Sequence, residues 1–226
     1  MALEIKKATD LTTERPGMYL IYSAPGIGKT STIKYLQGCT LVLDVDRTTG
    51  VLTGTDNIDI VEVDTYTPYT TFPKLLADIQ KNYLDQYDNI VLDNVSELER
   101  SIMSQLGREG KNNRVPSMAN YQQMQFTIVD AIRFMKSWNK NIVITAWEET
   151  DQWQTMSGQI YNRAYPKIPA KIRDNVMGLA DVVGRLIYDQ EEDKRGFILQ
   201  PTNAVFAKNQ IDARHGALQS ELFNRG

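Results

Sequence analysis

The run Ser23-Ala24-Pro25-Gly26-Ile27-Gly28-Lys29-Thr30-Ser31 has the residue types needed to hold a polyphosphate. Gly26 and Gly28 permit a tight backbone turn that presents successive N–H groups to an anion. Lys29 is spaced to reach β- and γ-phosphates, and the Thr30 hydroxyl to ligate Mg²⁺. A helix starting near Lys29 would add the positive end of its dipole. The full pattern G-x-x-x-x-G-K-[ST] asks for glycine at position 23, where this chain has the small residue Ser23. The chemistry implied is binding of ATP with Mg²⁺.

Such a site needs a carboxylate on the metal side, and Asp93 ends the short apolar run Asn89-Ile90-Val91-Leu92. Its place suits the second Mg²⁺-holding group, acting through a metal-bound water. Hydrolysis further requires a group that orients or deprotonates water. Asp46, Glu97, Glu99 and the more distant Glu148 are candidates. Asp46 is favoured, because ligands of open α/β sheets sit at the carboxyl ends of strands. The plainer reading of any one of them is a solvated strand-end carboxylate.

Several elements must position these groups. Met18–Tyr22, Thr40–Asp46, Asn89–Asp93 and Asn141–Ala146 read as buried strands, and Ile58–Val63 alternates as a third strand in chain order. Helices are expected over Lys29–Leu36, ended by Gly38, over the Phe72, Leu76, Ile79, Tyr83 face, over Ser96–Leu106, and over the Tyr121, Met124, Ile128, Ile132, Met135 face. Arg47–Gly54 and the polar Gly107–Pro116 read as loops. Glu149–Pro169 reads as a long irregular stretch, unusual in a compact domain and so a functional-loop candidate. A short helix at Lys171–Leu179 precedes strands at Asp181–Tyr188, Phe197–Gln200 and Ala204–Lys208, a β-rich C-terminal end. Apolar strands alternating with helices imply an α/β fold with a mostly parallel central sheet covered on both faces. The reading is one domain over 1–226, with a polar lead-in at 1–16 and a tail at 215–226.

Composition bounds the alternatives. The 226 residues suit one domain with a sizeable core, and 42% apolar content without low-complexity segments argues against disorder. The single Cys39 excludes an intrachain disulfide framework and fits a reducing cytosol; with a lone His215 it also makes structural zinc untenable. A net charge of −3 and a pI near 5.3 do not mark a strongly basic nucleic-acid binder, so any such contact must come from local loops. No apolar run approaches a membrane span and the first residues lack a signal-peptide core, so a cytoplasmic location without membrane partners is expected.

The order of these parts resembles the RecA-type recombinase core, and more narrowly the phage single-strand-annealing ATPases of the Sak-four group. The resemblance spans about Met18 to Arg214. It rests on Ser23–Thr30, Leu43-Asp44-Val45-Asp46, Val91-Leu92-Asp93, Ile144-Thr145-Ala146, Ala180-Asp181-Val182-Val183 and Ala207-Lys208-Asn209-Gln210. It implies a P-loop NTPase fold with a RecA-like core and a DNA-stimulated ATPase acting in DNA recombination by annealing or pairing strands. It also implies copies assembled in a ring or filament with ATP sites between subunits, in host cytoplasm for a phage protein. Asp46 matches the family's catalytic glutamate, one methylene shorter. Lys208 matches a lysine that enters a neighbour's ATP site, and Gln210 stands uncharged where a second lysine would be. The DNA-facing loops would be Gly107–Met118, with Arg108, Lys111, Asn112, Asn113 and Arg114, and Glu149–Lys167, with Trp153, Tyr161, Arg163, Tyr165 and Lys167. Cations interleaved with rings suit single strands, since cations track phosphates and rings stack on bases. Single-stranded DNA, further copies of the chain and a single-strand-binding protein are the implied partners.

Other readings stay open. Ala24–Thr30 also resembles the loop of AAA-plus machine subunits and helicase loaders. Against that class, Asn94 follows Asp93 where glutamate is usual, and the chain ends in strands rather than a helical lid. A small-molecule kinase would need an arginine-bearing lid, which is not evident. A nucleotide-gated binding module with little hydrolysis follows if Asp46 proves too short.

Overall fold

The computed structural model describes residue 7 and residues 15–224. Most of the lead-in read at 1–16, and the last two residues of the tail, lie outside the described residues. Among the described residues ten strands join in one sheet. β1 (Met18–Ser23), β2 (Thr40–Asp44), β3 (Ile58–Glu62), β4 (Asn89–Asp93) and β5 (Asn141–Gln154) are followed by β6 (Ile160–Pro166), β7 (Val182–Asp189), β8 (Lys194–Ile198), β9 (Lys208–Asn209) and β10 (Gly216–Leu218). The order is β10-β8-β7-β1-β5-β4-β2-β3, with β6 on β5 and β9 on β7. From β7 to β3 all pairings are parallel; β8, β9 and β10 add antiparallel. β1 and β4 are therefore separated by the first half of β5.

The strand period decides where the core lies. Leu20, Tyr22, Leu41, Leu43, Ile90, Leu92, Ile142 and Ile144 point to one face, and Tyr19, Ile21, Val42, Val91 and Val143 to the other. The first face is covered by α2 (Pro68–Asn82), α3 (Val95–Glu109), α4 (Met118–Lys136) and α5 (Ala170–Leu179), through residues such as Phe72, Ile102, Ile128 and Val176. The second face is covered by Ile33, Leu36 and the C-terminal Leu222.

Several expectations change. The helix expected over Lys29–Leu36 is one α-turn, α1 (Lys29–Thr32), followed by a 3-10 turn at Ile33–Tyr35. The β-branched Thr30, Thr32 and Ile33 favour helix weakly, so the dipole behind the loop is short. Glu149–Pro169 is not irregular: the second half of β5 and β6 form an antiparallel hairpin, with Trp153 opposite Tyr161 and Asp151 opposite Arg163. The expected strand at Ala204–Lys208 shrinks to an isolated bridge, Ala164–Val205, and to β9. Tyr83 lies just beyond α2 and is 47% exposed.

Candidate nucleotide site

β1 is buried along its whole length and delivers the chain into the loop at the carboxyl end of the sheet. Gly26 (φ 81°) and Gly28 (φ 112°) take left-handed conformations that L side chains rarely adopt. A Cβ on Gly28 would also lie 3.2 Å from Gln219 Nε2. Ser23, at the position where glycine was expected, is fully buried. Its hydroxyl donates to the Ala24 carbonyl (2.9 Å) and accepts from Lys29 Nζ (3.3 Å).

Lys29 Nζ also donates to the carbonyls of Ser23 (3.1 Å) and Ala24 (3.2 Å). Among the described residues no ion pair involves it. Burial pushes its pKa down, while the carboxylates of Asp93, Asp46 and Glu148 push it back up. A desolvated ammonium held only by neutral oxygens is ready to exchange them for phosphate.

Asp93 ends β4, is 1% exposed, and faces α1. Thr30 Oγ1 donates to Asp93 Oδ2 at 2.7 Å, and Thr145 Oγ1 on β5 donates to Oδ1. Burial raises the Asp93 carboxyl to about 6, against the two hydroxyl hydrogen bonds and with help from Asp46 and Asp44. Asp46 lies just past β2. Its Oδ1 accepts from Thr48 Oγ1 (2.7 Å) and its Oδ2 from Asn94 Nδ2. Gly26, Lys29, Thr30, Asp46, Asp93 and Asn94, together with Trp147, line a common cavity of about 300 Å³.

A hydroxyl and a buried carboxylate in direct contact form a hard-oxygen donor pair that fits Mg²⁺, which commonly keeps several waters and phosphate oxygens as its remaining ligands. Thr30 and Asp93 would hold the ion; when bound, it neutralises charge on the β- and γ-phosphates.

A family model described as an AAA domain (AAA_24) matches residues 15–211. The chain belongs to this AAA domain family. No curated protein matches it. The AAA assignment makes the chain a P-loop NTPase, a class that binds nucleotide, usually with Mg²⁺. The large, mostly parallel sheet flanked by helices fits that fold. No helix among the described residues is long and apolar enough to cross a membrane.

The other residues singled out from sequence go elsewhere. The Glu97 N–H donates to Asn94 Oδ1 (2.8 Å), and its carboxylate accepts from Ser101. Glu99 faces a second cavity at the hairpin base, and burial raises its pKa. Glu148 is held by Arg185 through two hydrogen bonds of 2.8 Å. Lys208 is not at the phosphate loop of its own chain. Its Cα pairs with Val183, which pairs with Leu20, and its ammonium donates to the carbonyls of Met177 (3.4 Å), Gly178 (3.1 Å) and Ala180 (2.7 Å). The free carbonyls at the end of α5 attract this cation, as helix C-termini do. To enter a neighbour's site it would first have to leave them.

Arg108 is on α3 rather than in a loop; it bonds Ser104 and the Tyr66 carbonyl and lies 4.1 Å over the Tyr66 ring. Lys111 and Arg114 are exposed in the turn beyond it. Trp153 and Tyr161 face each other on the hairpin, ring centres 6.4 Å apart. Arg163 is turned inward: it is 8% exposed, with its guanidinium 4.6 Å from Trp153, 5.3 Å from Phe206 and 5.8 Å from Tyr165. Lys167 sits at the hairpin base, 5.8 Å over Trp147.

Sequence reading did not single out Trp147, Arg195 or Gln219, named Thr145 only within the run Ile144-Thr145-Ala146 that carries the family resemblance, and noted Asn94 only as a departure from a class pattern. Thr145 had a signal, being the one polar residue inside Ile142–Ala146. Arg195 Nε donates to the Ile27 carbonyl (2.8 Å), and Gln219 Nε2 to the Gly28 carbonyl (2.8 Å) and Thr32 Oγ1 (3.0 Å). Both brace the loop from distant segments, and nothing local in the sequence announces them.

Proposed function

We propose that this AAA domain is a Mg²⁺-dependent ATPase of the RecA-like type, working on single-stranded DNA in strand annealing or pairing. The observation that carries the enzymatic half is the 2.7 Å contact of Thr30 with Asp93, in a cavity that also holds Lys29 and Asp46. Lys29 exchanges the loop carbonyls for the β- and γ-phosphates, the loop N–H groups cradle the same oxygens, and Asp46 orients the attacking water.

For the DNA half, the support is the continuity of β5. Its first half lies in the central sheet beside β1, Trp147 lines the phosphate cavity, and the second half leaves as the hairpin bearing Trp153 and Tyr161. Trp147 N–H donates to Ser96 Oγ (3.0 Å), which donates to the Lys167 carbonyl (2.8 Å), so the hairpin base is tied to the start of α3 beside the site. A strand held at the hairpin is therefore mechanically close to the nucleotide. Assembly through shared ATP sites, with Lys208 from a neighbour, and a single-strand-binding partner belong to the same reading. Measuring ATP hydrolysis with single-stranded DNA, duplex DNA and neither tests it: stimulation by the single strand is expected. Equal rates at saturating ATP and low salt would favour the second reading, a subunit of an AAA-type machine, which the family match supports.

A further inference from the structure

The amide of Asn94 joins two jobs that are usually separate. Its Oδ1 accepts from the Glu97 N–H at 2.8 Å, which makes Asn94 the N-cap of α3. With that end committed, Nδ2 points the other way and donates to Asp46 Oδ2. Asn94 is 1% exposed, so the amide has no solvent partner to turn towards. β2 and β4 are neighbours in register, Asp44 beside Asp93, and both chains run on past that level to bring Asp46 and Asn94 together over the cavity.

Asp46 needs such an anchor. It lies outside β2, in a bend, and its side chain is short. Thr48 Oγ1 holds one oxygen at 2.7 Å but belongs to the same loop. Asn94 supplies the donor from a fixed element. Both donors are neutral, so neither forms an ion pair with Asp46, and its remaining lone pairs are left for water.

We propose that Asn94 is the positioning residue for Asp46: the helix cap of α3 aims the carboxylate that activates the hydrolytic water. This rests on the ATPase reading above. In the step served, the water oxygen bonds to the γ-phosphorus, the bond from that phosphorus to the β-bridging oxygen breaks, ADP leaves with the bond pair, and the water proton passes to Asp46 and then to solvent. The arrangement places the carboxylate at the end of β2 and the amide after the β4 aspartate. The two residues could therefore trade places.

That exchange is the test. Asn94→Asp keeps an N-cap acceptor of equal rank but removes the donor and sets two carboxylates face to face. At saturating MgATP it should lower kcat on the order of 10²-fold, the scale of one acid–base group. Asp46→Asn should lower kcat similarly. The double variant, Asp46→Asn with Asn94→Asp, restores one amide and one carboxylate, and its kcat should exceed either single variant by about tenfold. A purely structural Asn94 would give no such rescue. Asn94→Ser, a second cap-competent residue too short to reach Asp46, serves if Asn94→Asp fails to fold, with intact folding checked by thermal melting and kcat expected to fall as in Asn94→Asp. Unchanged kcat in whichever cap variant folds, or a double variant no better than the singles, overturns the proposal. Wild-type protein that turns over no ATP, with nucleotide affinity indifferent to Lys29→Ala, overturns the ATPase reading and this inference with it; turnover lost in Lys29→Ala but intact in Asn94→Asp overturns this inference alone.

Discussion

Two charged cavities lie along β5, and they treat their charges in opposite ways. At the hairpin base, a cavity of about 420 Å³ is lined by Glu99, Glu149, Asp151, Lys167 and Arg173. There three of the charges are ion-paired: Arg173 pairs with Glu149 and Asp151 at 3.0 Å each, and its guanidinium lies 4.1 Å over Tyr165. In the phosphate cavity, Lys29 is held by carbonyls and a hydroxyl, Asp93 by two hydroxyls, Asp46 by a hydroxyl and an amide. None of the three is in an ion pair among the described residues. Ion pairs satisfy charges internally and leave little for a ligand to gain. Neutral hydrogen bonds keep charges in place while leaving their fields uncancelled. The first cavity reads as architecture and the second as a receptor, although the first is the larger.

The largest effect should come from Lys29→Ala. Removing the one cation of the phosphate loop should weaken MgATP binding on the order of 10²-fold or more in a calorimetric titration, the cost of deleting one partner of a desolvated charged contact. Unchanged affinity would erase the contrast between the cavities.

Asp93→Asn sharpens it with opposite signs in two assays. Turnover should fall with the loss of the metal-side carboxylate, while the fold should gain stability. The folded Asp93 carboxyl is raised from 3.8 to about 6, so its contribution to stability is fully present below about pH 4 and is lost as pH rises through about 6. The variant does not titrate there. It should exceed wild type by on the order of 2–3 kcal/mol in chemical denaturation above pH 6, with the gain gone near pH 4. An equal difference at both pH values would show that Asp93 is not held against its charge. Arg173→Ala, the counterpart at the hairpin base, should cost about 1–2 kcal/mol of stability through lost packing and ion pairs, with MgATP affinity unaltered.

The contrast also explains what the sequence could show. The phosphate loop and Asp93 are legible because each is a short-range pattern: an apolar run, then glycines and a lysine, or an apolar run, then a carboxylate. The hairpin is not. The second half of β5, Glu148–Gln154, is polar on both sides because a projecting ribbon has little core to face, so no alternation marks it. The inward turn of Arg163 and the hold of α5 on Lys208 depend on which distant groups fold beside them, three rings in one case and three carbonyls in the other. Asn94 is intermediate: its role as a cap is local, but its donation to Asp46 exists only because β2 and β4 are neighbours.

The hairpin offers a smaller test. If Trp153 and Tyr161 stack on bases, Trp153→Ala should weaken single-stranded DNA binding by about 1–3 kcal/mol while leaving DNA-free ATP turnover within twofold. Fluorescence titration with an oligonucleotide reads the first and a coupled assay the second. Loss of both together would mean that the hairpin supports the nucleotide site rather than a separate ligand.

The smallest effect should be at Gln219. It is 8% exposed and donates from a C-terminal 3-10 turn to the Gly28 carbonyl and Thr32, on the loop rather than in the cavity. Gln219→Ala should cost about 1 kcal/mol of stability, one neutral hydrogen bond plus a lightly desolvated carbonyl, and shift MgATP affinity by threefold or less. Its value lies in the ratio to Lys29→Ala. If both variants lose nucleotide equally, the loop has no shape of its own and is held open by the C-terminal segment; the binding free energy would then reside in the brace as much as in the uncancelled cation. If Gln219→Ala changes melting while affinity stays near wild type, the glycine turns and β1 set the loop unaided, and ligand-facing charge is separable from the scaffold behind it.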